Sequence, residues 1–241
     1  MINKNSLGIL GQFYFNVRDS FKSIYQNSNF YEKKISKTFE NSFEYKPSPH
    51  LLSSIIKYQN KKYKIEDFTI ESIWQNKLSP KDYEKLNNFF WFFSLDLKSS
   101  KKTTQTVIKN WILNNTRYQK RSWEFDLTAK RIISWLSNHQ LTYEDSDQEY
   151  RTTFDHMIQK QANHLLNEIK NPKEVENKII GCAAIILTGL AYKNERQYLT
   201  YGLNLLKNII KSSIDNQGFT KSRNIRQLIF CLLYTSDAAD E

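Results

Sequence analysis

The stretch Trp123-Glu-Phe-Asp-Leu-Thr-Ala-Lys-Arg-Ile-Ile-Ser-Trp135 carries the periodicity that decides the fold of this chain. Apolar residues recur in it at spacings of three and four positions, which places them on one face of an α-helix. The members of this stripe are Phe125, Ala129, Ile132, Ile133 and Leu136. We therefore predict an amphipathic helix here, with its apolar face in a protein core.

The same spacing predicts five further helices on both sides of this stretch. Ser79-Pro80, with Asp82 after it, is typical of a helix start. Asn171-Pro172 starts another helix, whose segment Ile179–Ala191 is apolar nearly all round and is expected to be buried on most sides. The other stripes are Leu86, Phe89, Phe90, Phe93 and Leu97; Thr104, Val107, Ile108, Trp111 and Ile112; Phe154, Met157, Ile158, Gln161, Ala162, Leu165 and Ile169; and Leu199, Leu203, Leu206, Ile209 and Ile210.

Six helices joined by short linkers predict an all-α domain of antiparallel helical hairpins over residues 76–230. Amphipathic and buried helices alternate, and an incomplete α/α toroid or a solenoid fits this order. A repeat of about 34 or 40 residues is absent, which argues against tetratricopeptide and HEAT arrays. Residues 1–75 are predicted to be irregular or short-stranded, with a helical tendency around Phe13–Tyr25 and a hairpin over Ile55–Ile65.

The composition is that of a globular protein. Of 241 residues, 39% are hydrophobic and only six are Gly and four Pro, which favours long helices over a turn-rich β fold. Apolar runs stay below the roughly 20 residues that span a bilayer, so we expect no membrane partner. The segment Met1–Lys22 lacks the apolar core and cleavage site of a signal peptide. We expect the chain as written in the cytoplasm, or in the periplasm if the natural N-terminus differs.

The formal net charge of +10 leaves three interpretations of the surface open. The Lys residues are scattered rather than clustered, which favours a generally basic, solvated surface. A polyanion partner is the second interpretation. A nucleic acid is the third, and we do not expect it as a partner.

Cysteines and histidines predict neither a disulfide framework nor a metal site. Cys182 lies in the apolar run of the fifth predicted helix and is expected in the core, and Cys231 is the other cysteine. His156 and His164 are eight positions apart on one predicted helix, which is a poor spacing for metal ligands. We expect no metal and no cofactor in this region, and we interpret both histidines as surface or packing residues.

The segment Cys231–Glu241 differs in composition from the rest of the chain. The bias toward Lys, Asn and Ile ends there, and an Ala-Ala pair flanked by Asp appears. The segment resembles the in-frame translation of a sequencing adapter. We expect residues 231–241 to be non-native and the natural sequence to be a fragment of a longer protein that continues beyond Phe230. A genuine frayed C-terminus is the alternative.

A basic loop, Asp215–Arg226, precedes the apolar run Leu228–Phe230. Asp215 favours a turn and Gly218 supplies a permissive backbone. The cations of the loop are Lys221, Arg223 and Arg226. Such a loop could hold an acidic ligand, although basic loops are more often solvated surface.

Three tryptophans fit no single apolar stripe easily. They are Trp91, Trp123 and Trp135. They could line a concave face, where sugar rings commonly stack on aromatic surfaces, although a position in the core is the more frequent use of such residues.

Several of these segments together carry a resemblance to one family. The most specific segment is Trp123-Glu…Arg131-Ile-Ile-Ser-Trp135, and the others are Trp74, Leu86–Ser94, Ile108–Trp111, Asn177–Leu190 and Asp215–Gln227. Over about Phe68–Phe230 the chain resembles the N-terminal helical domain of heparinase II/III-like proteins. These are similar to polysaccharide lyases in which an α/α toroid precedes an antiparallel β-sandwich. The resemblance implies that this chain has the toroid and lacks its partner domain, the sandwich.

The resemblance implies an acidic, uronate-containing polysaccharide as the ligand and β-elimination as the reaction. A donor must neutralise the uronate carboxylate, a base must remove the C5 proton, and an acid must protonate the leaving oxygen. Asn177 matches the neutralising Asn of the family, and Lys178 beside it could also pair with a carboxylate. The other residues carried over as substrate contacts are Trp123, Glu124, Arg131, Arg223, Asn224 and Arg226. An ordinary surface position for Asn177, and a salt bridge of Arg131 with Glu124 or Asp126, remain open.

One position departs from the family pattern. Aligning Phe219 and Ser222 places Ile225 where the catalytic Tyr is expected, and Ile cannot transfer a proton. The chain by itself is therefore expected to be inactive, although the full-length protein could be a lyase. A non-catalytic helical module for an anionic glycan, and a helical-repeat scaffold that binds protein, remain the alternatives.

Overall fold

The computed structural model describes residues 16–37, 74, 78–95, 100–172, 174–192 and 196–213. Within these ranges the regular structure is helical, without strands, so the all-α prediction is confirmed there. The predicted hairpin at Ile55–Ile65, the basic loop Asp215–Arg226 and the segment 231–241 lie outside the described residues. Across the described ranges, the helices are all too short or too polar to cross a membrane.

Nine α-helices and one 3-10 helix follow each other in the described part of the chain. In order they are α1 (16–26), α2 (Asn29–Ile35), α3 (Pro80–Asn87), the 3-10 helix Phe90–Ser94, α4 (Lys101–Asn114), α5 (Phe125–Ser137), α6 (His139–Thr142), α7 (Gln148–Glu168), α8 (Val175–Ala191) and α9 (Arg196–Ser213).

The helix starts fall into two groups. Ser79, Ser100 and Asp147 cap α3, α4 and α7, because each side chain accepts a hydrogen bond from a backbone N–H of the first turn. Glu124 and Glu174 precede α5 and α8 without a side-chain hydrogen bond of this kind. The first-turn N–H groups of α5 and α8 therefore have no side-chain cap from these two positions.

Helix α5 lies at the centre of the helical assembly, where it packs against both α7 and α8, and α9 packs along α8. The pair α8–α9 approaches closely at Gly189, where an added Cβ would lie 2.6 Å from the backbone nitrogen of Leu199. A larger residue at Gly189 would therefore push the two helices apart.

The apolar stripes predicted for α4, α5 and α7 are confirmed as core, with Phe125 half-buried at the edge. Cys182 is buried in α8 and has no disulfide. The stripe of α9 is only partly in the core, since Leu206 and Ile209 are buried whereas Leu203 remains exposed. The core is thus densest around α5.

The prediction of one continuous stripe from Leu86 to Leu97 is wrong. Helix α3 ends at Asn87, and Phe89 takes a left-handed backbone conformation with φ of 58° before the 3-10 helix begins. Two side chains of α5 bind the freed carbonyls: Arg131 donates to the carbonyl of Asn87 at 2.9 Å, and Ser134 donates to that of Phe89 at 2.6 Å. The turn places the Phe89 ring between Trp111 and Trp135, with centroids 6.2 and 5.2 Å away. These tertiary contacts override the helical periodicity.

Candidate functional site

A cleft of about 590 Å³ opens where the N-terminal ends of α5 and α8 come together. Its walls come from α1, from the segment that precedes α5, from the C-terminal turns of α7 and from the first turn of α8. Because helix N-termini carry a partial positive charge, two of them beside one cleft favour an anionic group there.

Three of the predicted site residues line this cleft. They are Trp123, Glu124 and Asn177. Lys178 is half-buried on the next position of α8 and does not belong to the lining. Arg223, Asn224 and Arg226 lie outside the described residues, so their part in the site stays a prediction.

A chain of hydrogen bonds fixes the backbone at Trp123. His164 of α7 lies with Nε2 2.9 Å from the carbonyl oxygen of Trp123 and with Nδ1 2.7 Å from the hydroxyl of Tyr31. A carbonyl oxygen can only accept, so Nε2 carries the proton and Nδ1 accepts from Tyr31. The indole and imidazole rings meet edge to face, with centroids 5.6 Å apart. This chain fixes the backbone at the floor of the cleft.

Burial decides the charge state of His164. It lowers the pKa of the imidazole to about 4, because the protonated form loses its hydration. At neutral pH His164 is therefore uncharged and uses both ring nitrogens for structural hydrogen bonds. It cannot act as a general base in the cleft.

Arg131 lies on the inner side of the segment that carries Trp123. Its guanidinium is completely buried and donates to Gln161, to the carbonyls of Asn87 and Ser122, and to Thr128. We call these residues the Arg131 network. The acceptors are neutral, so the salt bridge with Glu124 or Asp126 is not formed. A buried guanidinium with these partners does not reach the cleft, and we assign Arg131 a structural role rather than a ligand contact.

The expected concave tryptophan face is wrong for Trp135, which is completely buried against Phe89 and Trp111. Trp91 is half-buried and packs edge-on against Phe92. Trp123 reaches the cleft wall but exposes almost none of its surface. Its indole N–H is buried and has no hydrogen-bond partner among the described residues.

The described lining of the cleft is not strongly basic. Its cations are Lys22, Lys120 and Arg121, and its carboxylates are Asp19, Glu124, Asp126 and Glu168. Lys22 is paired with Glu168, and the Arg121 guanidinium stacks 3.7 Å from the ring centroid of Tyr83. Burial, followed by the nearby Asp126 and Glu84, raises the pKa of Glu124. The described lining therefore carries no excess of positive charge.

Two further polar residues of the cleft are Asn177 and Tyr118. Asn177 brings a neutral amide to the first turn of α8. Tyr118 donates to Gln26 at 2.8 Å, and burial raises the pKa of its phenol to about 12, so it stays protonated at neutral pH. The Asn177 amide can therefore donate to a carboxylate, whereas the hydroxyl proton of Tyr118 is engaged with Gln26.

Sequence reasoning missed several cleft residues because they come from separate segments. They are Lys22, Tyr118, Lys120, Arg121, His164 and Glu168. A signal existed for His164, which falls at the edge of the apolar stripe of α7; it was interpreted as a surface or packing residue, and it is buried. The pairing of α1 with α7 through Lys22 and Glu168 has no comparable signal in the sequence.

Within the described residues, His, Cys, Asp and Glu side chains do not form a group of three or more that could hold a metal ion. Comparisons of the chain with family models, with curated proteins and with solved structures find no match.

Proposed function

We propose that this chain is the helical part of a heparinase II/III-like protein and that its cleft binds an acidic, uronate-containing polysaccharide. The helices would form part of an α/α toroid, and β-elimination would need the full-length protein with its β-sandwich. One observation carries the proposal: Trp123, Glu124 and Asn177, which the sequence resemblance nominated in two separate segments, line a single cleft.

The chemistry of the cleft supports a carboxylate as the recognised group. Asn177 can donate its amide N–H groups, and the first-turn N–H groups of α5 and α8 lack side-chain caps from Glu124 and Glu174. Backbone N–H groups at helix N-termini bind anions well. A uronate carboxylate would therefore find neutral donors and a favourable helix dipole, without a paired cation.

A non-catalytic role for this chain is the second candidate. His164 is neutral with both nitrogens engaged, Tyr118 stays protonated, and Ile225 stands where the family's catalytic Tyr is expected. His164 and Tyr118 are thus poorly suited to proton transfer, which favours an anionic-glycan module over a self-sufficient lyase.

Calorimetric titration with a glucuronate oligosaccharide tests the proposal. We expect saturable binding, no binding of a neutral glucose oligosaccharide of equal length, and no unsaturated product by absorbance. Asn177→Ala should weaken binding by roughly tenfold or more, because a hydrogen bond to a charged group contributes about 1.5–3 kcal/mol.

Asn204→Ala is the matched control, because Asn204 is an exposed Asn on α9 that does not line the cleft. It should bind as the unchanged chain does. Equal binding by both variants would remove the cleft as the site, and failure of the unchanged chain to bind any uronate polymer would overturn the function itself.

A further inference from the structure

Helix α1 turns its polar side chains toward the protein. Lys22 forms an ion pair with Glu168 of α7, and the buried Gln26 accepts a hydrogen bond from Tyr118 at 2.8 Å. Ser23, on the same side, lines the cleft. The helix is thus attached through polar contacts instead of an apolar stripe.

The apolar side of α1 consequently faces solvent. Val17, Phe21, Ile24 and Tyr25 follow the spacing of one helical face. Phe21 is 71% exposed and Ile24 is 69% exposed. Large apolar side chains that are exposed together, rather than singly, mark an interaction site.

Helix α2 extends this apolar face and adds positive charge. Phe30 is 70% exposed, and its ring centroid lies 6.3 Å from that of Tyr25. Lys33, Lys34 and Lys37 follow Phe30 at spacings of three, four and seven, and all three are exposed. They form no ion pair with any described residue. We call Val17, Phe21, Ile24, Tyr25, Phe30 and these lysines the α1–α2 patch.

We propose that the α1–α2 patch docks on an anionic lipid surface. Protruding aromatic and branched side chains enter the boundary between headgroups and acyl chains, and adjacent lysines pair with headgroup phosphates. Such a helix lies on the membrane surface and does not span the bilayer. Docking of this kind therefore does not require a long apolar run. The expectation of no membrane partner rests only on the absence of an apolar run long enough to span a bilayer.

The shape and chemistry of the patch favour lipid over other occupants. A glycan needs hydrogen-bonding partners, which Val17, Phe21 and Ile24 do not offer. Phe21 and Ile24 are highly exposed on α1, which suits insertion into a fluid headgroup layer. Next to them, Phe30 and Lys33 line an open hollow of about 600 Å³, which places a cation beside the apolar side chains. Because the patch lies on the side of α1 opposite the cleft, its test is independent of glycan binding.

Co-sedimentation of the whole chain with lipid vesicles tests the proposal. We expect binding to phosphatidylcholine vesicles with about 30% phosphatidylglycerol, little binding to pure phosphatidylcholine, and weaker binding as salt rises. The double variants Phe21→Ser/Ile24→Ser and Lys33→Glu/Lys34→Glu should each weaken partitioning by at least about tenfold.

Helix α4 offers matched controls. Leu113 is 62% exposed and Lys102 is exposed, both away from the patch, so Leu113→Ser and Lys102→Glu should bind vesicles like the unchanged chain. Circular dichroism checks that all four variants keep their helices.

Two results would overturn the proposal. Equal loss of binding in the control variants would show a nonspecific effect of charge or apolar area. Absence of vesicle binding, combined with a dimer that Phe21→Ser/Ile24→Ser converts to a monomer in light scattering, would assign the patch to contact between copies of this chain.

Discussion

The polar groups on the two sides of the segment 122–124 differ in their hydrogen bonding. On the inner side, the Arg131 network gives the nitrogens of a buried guanidinium protein acceptors at 2.7–3.3 Å. On the outer side, Trp123 and the half-buried Asn177 line the cleft, and the amide of Asn177 can meet a ligand there.

This difference in hydrogen bonding distinguishes residues that stabilise the fold from residues that can bind a ligand. A fully hydrogen-bonded buried cation specifies a fold, because its removal would leave several acceptors without partners. A polar side chain that lines a concave site, such as Asn177, is available to a ligand. We therefore expect substitutions on the inner side to change stability, and substitutions on the outer side to change binding.

The largest effect is expected for Arg131→Met, which keeps much of the side-chain volume but removes every donor. The carbonyls of Asn87 and Ser122 and the side chain of Gln161 would lose their partner. We expect a loss of about 3–5 kcal/mol in the free energy of unfolding, measured by urea denaturation.

Lys130→Met is the control for Arg131→Met, since Lys130 is the preceding residue of α5 and forms a partly exposed ion pair with Asp126 at 3.0 Å. Its loss should be within about 0.5 kcal/mol. Equal stability of the two variants would contradict a structural role for Arg131.

A smaller effect is expected for His164→Leu, which leaves the Tyr31 hydroxyl and the Trp123 carbonyl without their shared partner. We expect a loss of about 2–3 kcal/mol at neutral pH. His156→Leu, at an exposed position of the same helix, should change stability by less than about 0.5 kcal/mol. Similar losses in the two variants would show that the hydrogen bonds of His164 contribute little.

The pH dependence of stability sharpens this test. His164 stays neutral in the folded protein down to a pKa of about 4, whereas the unfolded chain takes up the proton near 6.5. Between these values the unfolded state binds more protons, so acid destabilises the fold. Burial raises the pKa of Asp155 to about 6, which acts in the opposite direction.

Comparison with His164→Leu isolates the histidine contribution, because Asp155 is present in both proteins. The stability advantage of the unchanged chain over His164→Leu should therefore shrink as the pH falls from 6.5 to 4. A constant advantage across this range would mean that His164 does not titrate as described.

Periodicity predicted α4, α5 and α7 because each combines a repeated apolar stripe with a buried face. It missed the left-handed turn at Phe89, since the bonds that hold this turn come from Ser134 and Arg131, far away in the sequence. Periodicity would also assign the apolar face of α1 to the core. The pairs Lys22–Glu168 and Gln26–Tyr118 instead turn the polar face of α1 toward the protein.

The residues of the candidate site could be predicted only in part from the sequence, because tertiary packing decides which side chains reach the cleft. Trp123, Glu124 and Asn177 came from matching short motifs, and the fold brings them together. Arg131 belongs to the same motif, yet its burial could not be read from the motif, because burial depends on the helices that pack around it. Tyr118 and Glu168 meet the cleft only through tertiary packing.

The most direct test of the cleft is a nuclear magnetic resonance titration of the ¹⁵N-labelled chain with a glucuronate oligosaccharide. The side-chain amide of Asn177 and the indole N–H of Trp123 are assigned with Asn177→Ala and Trp123→Phe. We predict that both signals shift together and saturate at one affinity, while the amide of Asn204 stays unchanged. Shifts confined to surface lysines, or an unchanged pair of Asn177 and Trp123 signals at saturation, would contradict a uronate site in this cleft.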